Sequence, residues 1–143
     1  MAHFYQGKYK PNNPEKYIGD PNNIVYRSNW EQRLFYRLDN DPGVARWASE
    51  EFSIPYMNPI DKKIHRYFPD VYVENVNGEK FVIEIKPSAQ TKPPTKPPKN
   101  TKRYLTEVST YVINKAKWYA ADKFCEEKGW AFKIVTEKDL GIT

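Results

Sequence analysis

The strongest constraint on the fold is a hairpin between Asp70 and Lys86, because the alternation of its side chains fixes its register. Asn77-Gly78 marks the turn between the two strands. A two-residue loop would scramble the apolar side chains between the two faces of the hairpin. A three-residue loop that begins at Val76 puts Gly78 in the left-handed position and collects the apolar side chains on one face. We therefore predict the three-residue loop.

The predicted register places two carboxylates opposite each other. Asp70 lies across from Glu84 on the polar face, and Lys86 follows Glu84 by two residues on the same side. Two like charges at this separation repel at a cost on the order of 1 kcal/mol or more, unless a proton or a cation intervenes. A positive charge therefore belongs at this position, and Lys86 alone is one candidate for it. The other predicted pairs are Val71 with Ile83, Val73 with Phe81, and Glu74 with Lys80.

The remaining elements alternate between helix and strand, which predicts the α/β class. Ser28 begins a helix as its N-cap, and Glu31 completes the Ser-x-x-Glu capping pattern three residues later. A longer helix is predicted over residues 103–128, with Gly129 as its C-cap. Extended segments are predicted at residues 44–56, 63–68 and 131–135.

The length of 143 residues predicts a single domain over residues 1–143. Residues 1–27 are rich in Tyr, Asn and Pro without a period, which predicts an irregular lead-in. Cys125 is the single cysteine, so an internal disulfide is excluded and a reducing compartment is favoured. The longest apolar stretches are too short for a membrane span, and the first residues have no secretory pattern, so we expect a soluble protein.

Net positive charge is concentrated in one proline-rich segment. Residues 86–103 contain six basic residues and no acidic residue, whereas the rest of the chain has a net charge of −1. The near-repeat Thr-Lys-Pro-Pro cannot build a helix or join a sheet interior, so we predict an extended basic arm over residues 87–102. This arm is either a solvated spacer or a segment that binds phosphates, and its spacing favours neither.

A third carboxylate, Glu31, flanks the inward stripe of the first helix. A helix packed on the sheet would bring it to Asp70 and Glu84, and three oxygen ligands without sulfur or imidazole suit Mg²⁺ or Mn²⁺ rather than zinc. Two simpler interpretations remain open. Glu31 is also explained as a surface capping residue, and Asp70, Glu84 and Lys86 as a structural ion cluster on a sheet face.

Together these residues resemble the signature of the PD-(D/E)XK nucleases. Phe68-Pro69-Asp70 is followed after 13 residues by Glu84-Ile85-Lys86, and Ser28-Asn29-Trp30-Glu31 lies upstream. The arrangement is similar to the TnsA-like branch of that superfamily. Within that branch, the chain most resembles the family of head completion nucleases of T-even-like tailed phages. Residues 17–20, 54–56 and 117–121 contribute to this second resemblance.

The resemblance implies a restriction-endonuclease-like core, with a central mixed β-sheet flanked by helices. It implies that Asp70 and Glu84 ligate Mg²⁺ or Mn²⁺, with Glu31 and the backbone carbonyl of Ile85 as further ligands. Lys86 would orient or deprotonate the attacking water and balance charge on the phosphate. The implied activity is hydrolysis of DNA phosphodiesters as an endonuclease and exonuclease.

Basic residues around this centre are predicted to contact DNA phosphates. His65 and Arg66 precede Asp70 on one strand, and Lys115 and Tyr111 on the long helix could face the same cleft. A structural His65 and a salt-bridged surface Lys115 remain the alternatives. We expect recognition of phosphates and DNA shape, with little sequence preference. The predicted contacts in and beside the arm are Lys92, Lys96, Lys99, Lys102 and Arg103.

The resemblance implies that the nuclease trims or cleaves packaged DNA during phage head completion, before heads join tails. One alternative is a non-catalytic head–tail joining protein that binds the DNA end and the capsid, and another is a junction-resolving or restriction-type endonuclease. The expected partners are double-stranded or branched DNA and phage head or neck proteins, such as the portal, with no membrane. The expected location is the host cytoplasm during assembly, or the virion itself.

Overall fold

The computed structural model describes residues 6–141 and confirms the α/β class, with a central mixed sheet and flanking helices. In chain order the elements are β1 (Gly7–Tyr9), β2 (Ile24–Tyr26), α1 (Asn29–Asn40), β3 (Val44–Ser49), β4 (Ile54–Met57), β5 (Ile64–Tyr67), β6 (Val71–Asn75), β7 (Lys80–Ile85), α2 (Lys102–Lys128) and β8 (Ala131–Val135). Short 3-10 turns lie at Pro14–Lys16 and Ser88–Thr91.

The central sheet has the strand order β3-β6-β7-β8. The pairs β3–β6 and β6–β7 are antiparallel, whereas β7–β8 is parallel. A parallel pair needs a crossover connection, and α2 provides it between β7 and β8. The sheet is therefore mixed, and β7, which carries Glu84, is an inner strand.

The hairpin between β6 and β7 has the predicted register. Val71 pairs with Ile83, and Val73 pairs with Phe81. Gly78 has a φ of 85°, the left-handed conformation that the three-residue loop requires. The predicted register therefore assigned the side chains of both strands to the correct faces of the hairpin. The outer pair, Glu74 with Lys80, is also confirmed.

Helix α1 is fixed against β3 by its apolar stripe. Phe35 and Trp47 are both 0% exposed, with ring centroids 5.2 Å apart, and Leu34 and Leu38 are buried beside them. Fully burying a large apolar side chain contributes about 1.5–3 kcal/mol. This packing holds the first turn of α1, which contains Glu31, at a set position on the sheet.

Helix α2 lies against β4, β7 and β8. It begins after Thr101, whose hydroxyl accepts the amide of Tyr104 at 3.0 Å, and it ends at Gly129, which has a φ of 73°. Both ends lie within one residue of the predicted bounds. Trp118 and Ala121 are buried on its inner side. Within residues 6–141, no helix is long and apolar enough to cross a membrane.

The prediction of an irregular lead-in over residues 1–27 is wrong for two segments, because β1 and β2 pair as an antiparallel ribbon. Asp39 of α1, which is 0% exposed, accepts hydrogen bonds from the Tyr9 hydroxyl at 2.6 Å and from the amides of Asn12 and Asn13 at 2.6 and 2.9 Å. These contacts span 26 to 30 residues, so local composition could not predict them. Residues 1–5 of the predicted lead-in lie outside the described residues.

The extended segment predicted at residues 44–56 is divided into β3 and β4, which belong to different sheets. The chain turns at Glu50, whose φ of 52° is left-handed. Strand β4 pairs with β5 in a separate two-stranded sheet, with Ile54 opposite Tyr67. The break places the end of β5 beside β7, as the contact between Tyr67 and Glu84 shows.

In the segment predicted as a basic arm, Ser88–Thr91 forms a 3-10 turn, and residues 92–100 have no helix or strand. Lys92, Lys96 and Lys99 are exposed along it. The prediction of an extended arm over residues 87–102 is therefore wrong for residues 88–91 and for Lys102, which begins α2. The absence of helix and strand over residues 92–100 agrees with the repeated prolines.

Candidate active site

The β6–β7 hairpin brings Asp70 and Glu84 together. Asp70 directly precedes β6, and Glu84 lies in the second half of β7 and is 7% exposed. The two carboxyl groups are within hydrogen-bond reach of each other. The amide of Ile85 donates to Asp70 Oδ2 at 2.7 Å and fixes the Asp70 side chain. The register predicted from sequence thus produces the predicted carboxylate pair.

The electrostatics of the pair favour a proton or a cation between the two groups. Burial raises the pKa of Asp70 well above its usual range, and the negative charges of Glu84 and Glu31 raise it further. The hydrogen bond from the Ile85 amide acts in the opposite direction but does not offset these effects. The local positive charge is therefore too small to hold all of these carboxylates ionised at their usual pKa.

Both oxygens of Glu84 have a partner. Lys86 Nζ lies 3.5 Å from Oε2, and the Tyr67 hydroxyl donates to Oε1 at 2.7 Å. Burial and the charge of Glu84 raise the pKa of Tyr67, so this hydroxyl remains a donor at neutral pH. Glu84 is consequently held between a cation and a neutral donor.

Sequence reasoning did not identify Tyr67. Its position in the strand that leads to Phe68-Pro69-Asp70 is a signal, but the contact with Glu84 joins residues 17 apart in different sheets. Lys117 of α2 lies 5.8 Å from the ring centroids of both Tyr67 and Tyr56. The helix therefore supports the ring whose hydroxyl orients Glu84.

Glu31 lies in the capped first turn of α1 and near the carboxylates of the hairpin. Its amide donates to Ser28 Oγ at 3.1 Å, and its own carboxylate accepts the amide of Arg27 at 3.1 Å. Burial raises the pKa of Glu31, and the charges of Glu50 and Glu84 raise it further, while the Arg27 amide opposes them. Glu31 is thus close enough to feel the carboxylates of the hairpin. The capping and catalytic interpretations are compatible.

An ion pair that sequence reasoning missed lies between Glu31 and Asp70. Arg27 forms a salt bridge with Glu50. The left-handed backbone of Glu50 lets its amide donate to the Asp70 carbonyl at 3.3 Å. Arg27 and Glu50 therefore link the start of α1 to the start of β6. No local sequence pattern predicts this link, because Glu50 lies in a segment predicted to be extended.

Comparisons with known proteins show the family of this chain. Residues 41–137 match the family model described as the TnsA-like endonuclease N terminal. The chain belongs to the TnsA-like endonuclease family. A curated relative, the head completion nuclease of Enterobacteria phage T4, is 44% identical over 140 residues, which cover 95% of this chain and 93% of the relative. Family membership makes the chain a DNA nuclease, and the matched region contains Asp70, Glu84 and Lys86.

The donor set of this TnsA-like nuclease fits a hard divalent ion in its chemistry. Carboxylate oxygens are the ligands that Mg²⁺ and Mn²⁺ prefer, and the raised pKa of Asp70 marks negative charge that a cation would stabilise. Within residues 6–141, no three Asp, Glu, His or Cys side chains lie close enough to hold one ion. Asp70 and Glu84 adjoin, whereas Glu31 is held by Arg27. Glu31 and the Ile85 carbonyl remain predicted ligands.

The residues predicted to contact DNA are distributed around the TnsA-like core. His65 of β5 contacts Asp61 at 2.6 Å, in accord with the structural alternative, and Arg66 is exposed beside it. Arg103 lies 3.9 Å from Glu107 on α2. The other predicted contacts are exposed: Lys92, Lys96, Lys99, Lys102 and Lys115. Their contacts with DNA remain predictions.

Proposed function

We propose that the chain is a nuclease dependent on Mg²⁺ or Mn²⁺, with little sequence preference, that cleaves or trims packaged DNA in phage head completion. The observation that carries the proposal is the pair of half-buried Asp70 and buried Glu84, with Lys86 3.5 Å from Glu84. The name of the phage T4 relative supports the biological setting. The same setting makes phage head or neck proteins the proposed partners, and the host cytoplasm during assembly the proposed location.

Asp70 and Glu84, with Glu31 directly or through water, would hold the divalent ion. When bound, that ion activates water and stabilises negative charge on the phosphate. The hairpin and the Ile85 amide hold Asp70 in one orientation before DNA binds. Such preorganisation lowers the cost of reaching the reactive geometry.

Lys86 has two tasks in this proposal. Beside Glu84 it offsets part of the carboxylate charge, which would otherwise repel the DNA phosphate. Its ammonium group can also donate to the attacking water or to a phosphate oxygen as negative charge develops. Tyr67 supports both tasks by holding Glu84 from the other side.

The charge distribution supports a phosphate-based mode of DNA binding. Lys92, Lys96 and Lys99 are exposed on the proline-rich segment that follows Lys86 along the chain. Exposed lysines at this position would bind the DNA phosphates on either side of a cleavage point without contacting the base edges. Affinity should therefore fall steeply with salt and depend little on sequence.

The test is cleavage of supercoiled and linear duplex DNA by the purified protein. We expect Mg²⁺ to support cleavage, EDTA to stop it, and Asp70→Asn or Lys86→Met to abolish it without unfolding the protein. Glu126→Gln is the matched control, because Glu126 is an exposed carboxylate on α2. Equal cleavage by Asp70→Asn and Glu126→Gln would refute the proposed site. DNA binding without cleavage by the wild type would favour the joining-protein alternative.

A further inference from the structure

A cavity of about 350 Å³ lies between the start of the basic arm and α2. Gln90 and Lys92 line it from the arm, and Tyr111 and Asn114 line it from the helix. Its volume lies at the lower end of the range for small-molecule sites, which suits one nucleotide and excludes a duplex. None of the residues assigned to the carboxylate centre lines it, so it is a separate feature of the surface.

Asn114 is the polar group that points to a ligand in this cavity. It is 7% exposed and lines the cavity from α2. Its amide can both donate and accept a hydrogen bond, so it can bind the polar edge of a ligand that enters the cavity.

The other lining residues indicate the chemical class of that ligand. Tyr111 offers a partly buried aromatic ring, Gln90 a second amide, and Lys92 an exposed cation. Glu107 also lines the cavity, and Arg103 lies 3.9 Å from its carboxylate. An aromatic face, two amides and one cation match the flat base, the polar base edge and the phosphate of a nucleotide.

The chain places this cavity close to the carboxylate centre. Gln90 follows Lys86 by four residues, so their Cα atoms are at most about 14 Å apart. Successive nucleotides of a stacked DNA strand rise about 3.4 Å each. The nucleotide in the cavity would therefore lie within about four positions of the phosphate at Lys86.

We propose that this cavity holds one unpaired nucleotide of the strand that is cut, so that the enzyme prefers DNA with a single-stranded end to blunt duplex. The proposal rests on the proposed nuclease function and names the substrate class for that same centre. Within a duplex every base is stacked and paired, whereas an overhang or frayed end can insert a base at little cost.

The first test compares kcat/KM on two DNA substrates of one sequence, one blunt and one with a short overhang of either polarity. We expect faster cleavage of an overhang. Tyr111→Leu should lower kcat/KM on that substrate by about 5-fold to 150-fold, the equivalent of one lost stacking contact. Asn114→Leu should lower it by about 2-fold to 10-fold. Both variants should lower kcat/KM on blunt duplex by a smaller factor than on the overhang.

Tyr119→Leu is the matched control, because Tyr119 is a 67% exposed tyrosine on the same helix outside this cavity. Tyr111→Phe keeps the ring and should behave as wild type. Asn114→Leu keeps about the same side-chain volume, so its melting temperature should stay close to that of the wild type. Loss of activity through misfolding would instead lower the melting temperature of these variants.

A second test is independent of cleavage. An overhang that carries 2-aminopurine is mixed with protein in EDTA, and its fluorescence should fall on stacking against Tyr111 in the wild type but not in Tyr111→Leu. If the protein cleaves neither substrate, the nuclease function is refuted. The fluorescence assay would then show by itself whether the cavity binds a nucleotide. Equal cleavage of both substrates, with Tyr111→Leu equal to Tyr119→Leu in both assays, would overturn the nucleotide site and leave the nuclease function intact.

Discussion

Replacing Tyr67 by phenylalanine removes one hydroxyl from the carboxylate centre and leaves the packed ring in place. That hydroxyl donates to Glu84 Oε1 at 2.7 Å, and Tyr67 and Glu84 are only 4% and 7% exposed. Water therefore has little access to replace the lost donor. Because a hydrogen bond to a charged group contributes about 1.5–3 kcal/mol, we expect Tyr67→Phe to lower the free energy of unfolding by about that amount.

The same variant should also weaken the binding of Mn²⁺. Tyr67 orients Glu84 without ligating the ion itself, and removing such a partner typically lowers metal affinity by about 10-fold to 100-fold. Urea denaturation in EDTA, followed by tryptophan fluorescence, measures the first effect. Isothermal titration calorimetry with Mn²⁺ measures the second.

Tyr56→Phe is the matched control for both measurements. Tyr56 is also 7% exposed and belongs to the same apolar cluster, but its hydroxyl has no hydrogen-bond partner among residues 6–141. Its loss should change the free energy of unfolding and the Mn²⁺ affinity very little. A Tyr67→Phe protein that matches Tyr56→Phe in stability and in Mn²⁺ affinity would show that the hydroxyl does not orient Glu84.

Three further predictions concern the surroundings of the centre. The pKa of Asp70 is raised on folding, so the folded protein in EDTA binds more protons than the unfolded chain above about pH 4. Its stability should therefore fall as pH rises towards the raised pKa. Asp70→Asn should reduce this fall in urea titrations and leave the smaller part that comes from the raised pKa of Glu31. Ser28→Ala should lower the free energy of unfolding by about 1 kcal/mol, because the cap of α1 is lost. Changing Lys92, Lys96 and Lys99 together to alanine should reduce the slope of log affinity against log salt by up to about 2.7 for duplex DNA, as measured by fluorescence anisotropy.

Each of these predictions has its own control. Asp139→Asn changes a carboxylate far along the chain from the pair and should keep the wild-type dependence of stability on pH above about pH 4. Gln32→Ala leaves the cap of α1 intact and should have little effect on the free energy of unfolding. Alanine at Lys8, Lys10 and Lys138, which are exposed outside the arm, should leave the salt slope unchanged. An arm variant with the wild-type slope would return that segment to the spacer interpretation.

The hairpin was predictable because its determinants are local. One turn signal and the alternation of side chains predicted the register from Val71–Ile83 to Glu74–Lys80, and the end of that ladder brings Asp70 beside Glu84. The capping pattern from Ser28 to Glu31 was equally local and gave the correct start of α1. These two local patterns were enough to predict most of the carboxylate residues discussed here, namely Glu31, Asp70 and Glu84.

The supporting residues were not predictable for the opposite reason. Tyr67 reaches Glu84 from a strand of another sheet, and Arg27 reaches Glu50 across 23 residues. Glu50 adopts a left-handed backbone that its residue type does not favour, so the turn between β3 and β4 has no sequence signature. Such contacts depend on how whole elements pack, which local patterns do not encode.

Electron paramagnetic resonance of Mn²⁺ titrated into the protein tests the central claim most directly, since it reports whether the acidic centre takes up a hard divalent ion. We predict that the wild type and Glu126→Gln bind the ion alike, and that Asp70→Asn and Glu84→Gln lose this binding while remaining folded. Undiminished Mn²⁺ binding in both Asp70→Asn and Glu84→Gln would contradict the assignment.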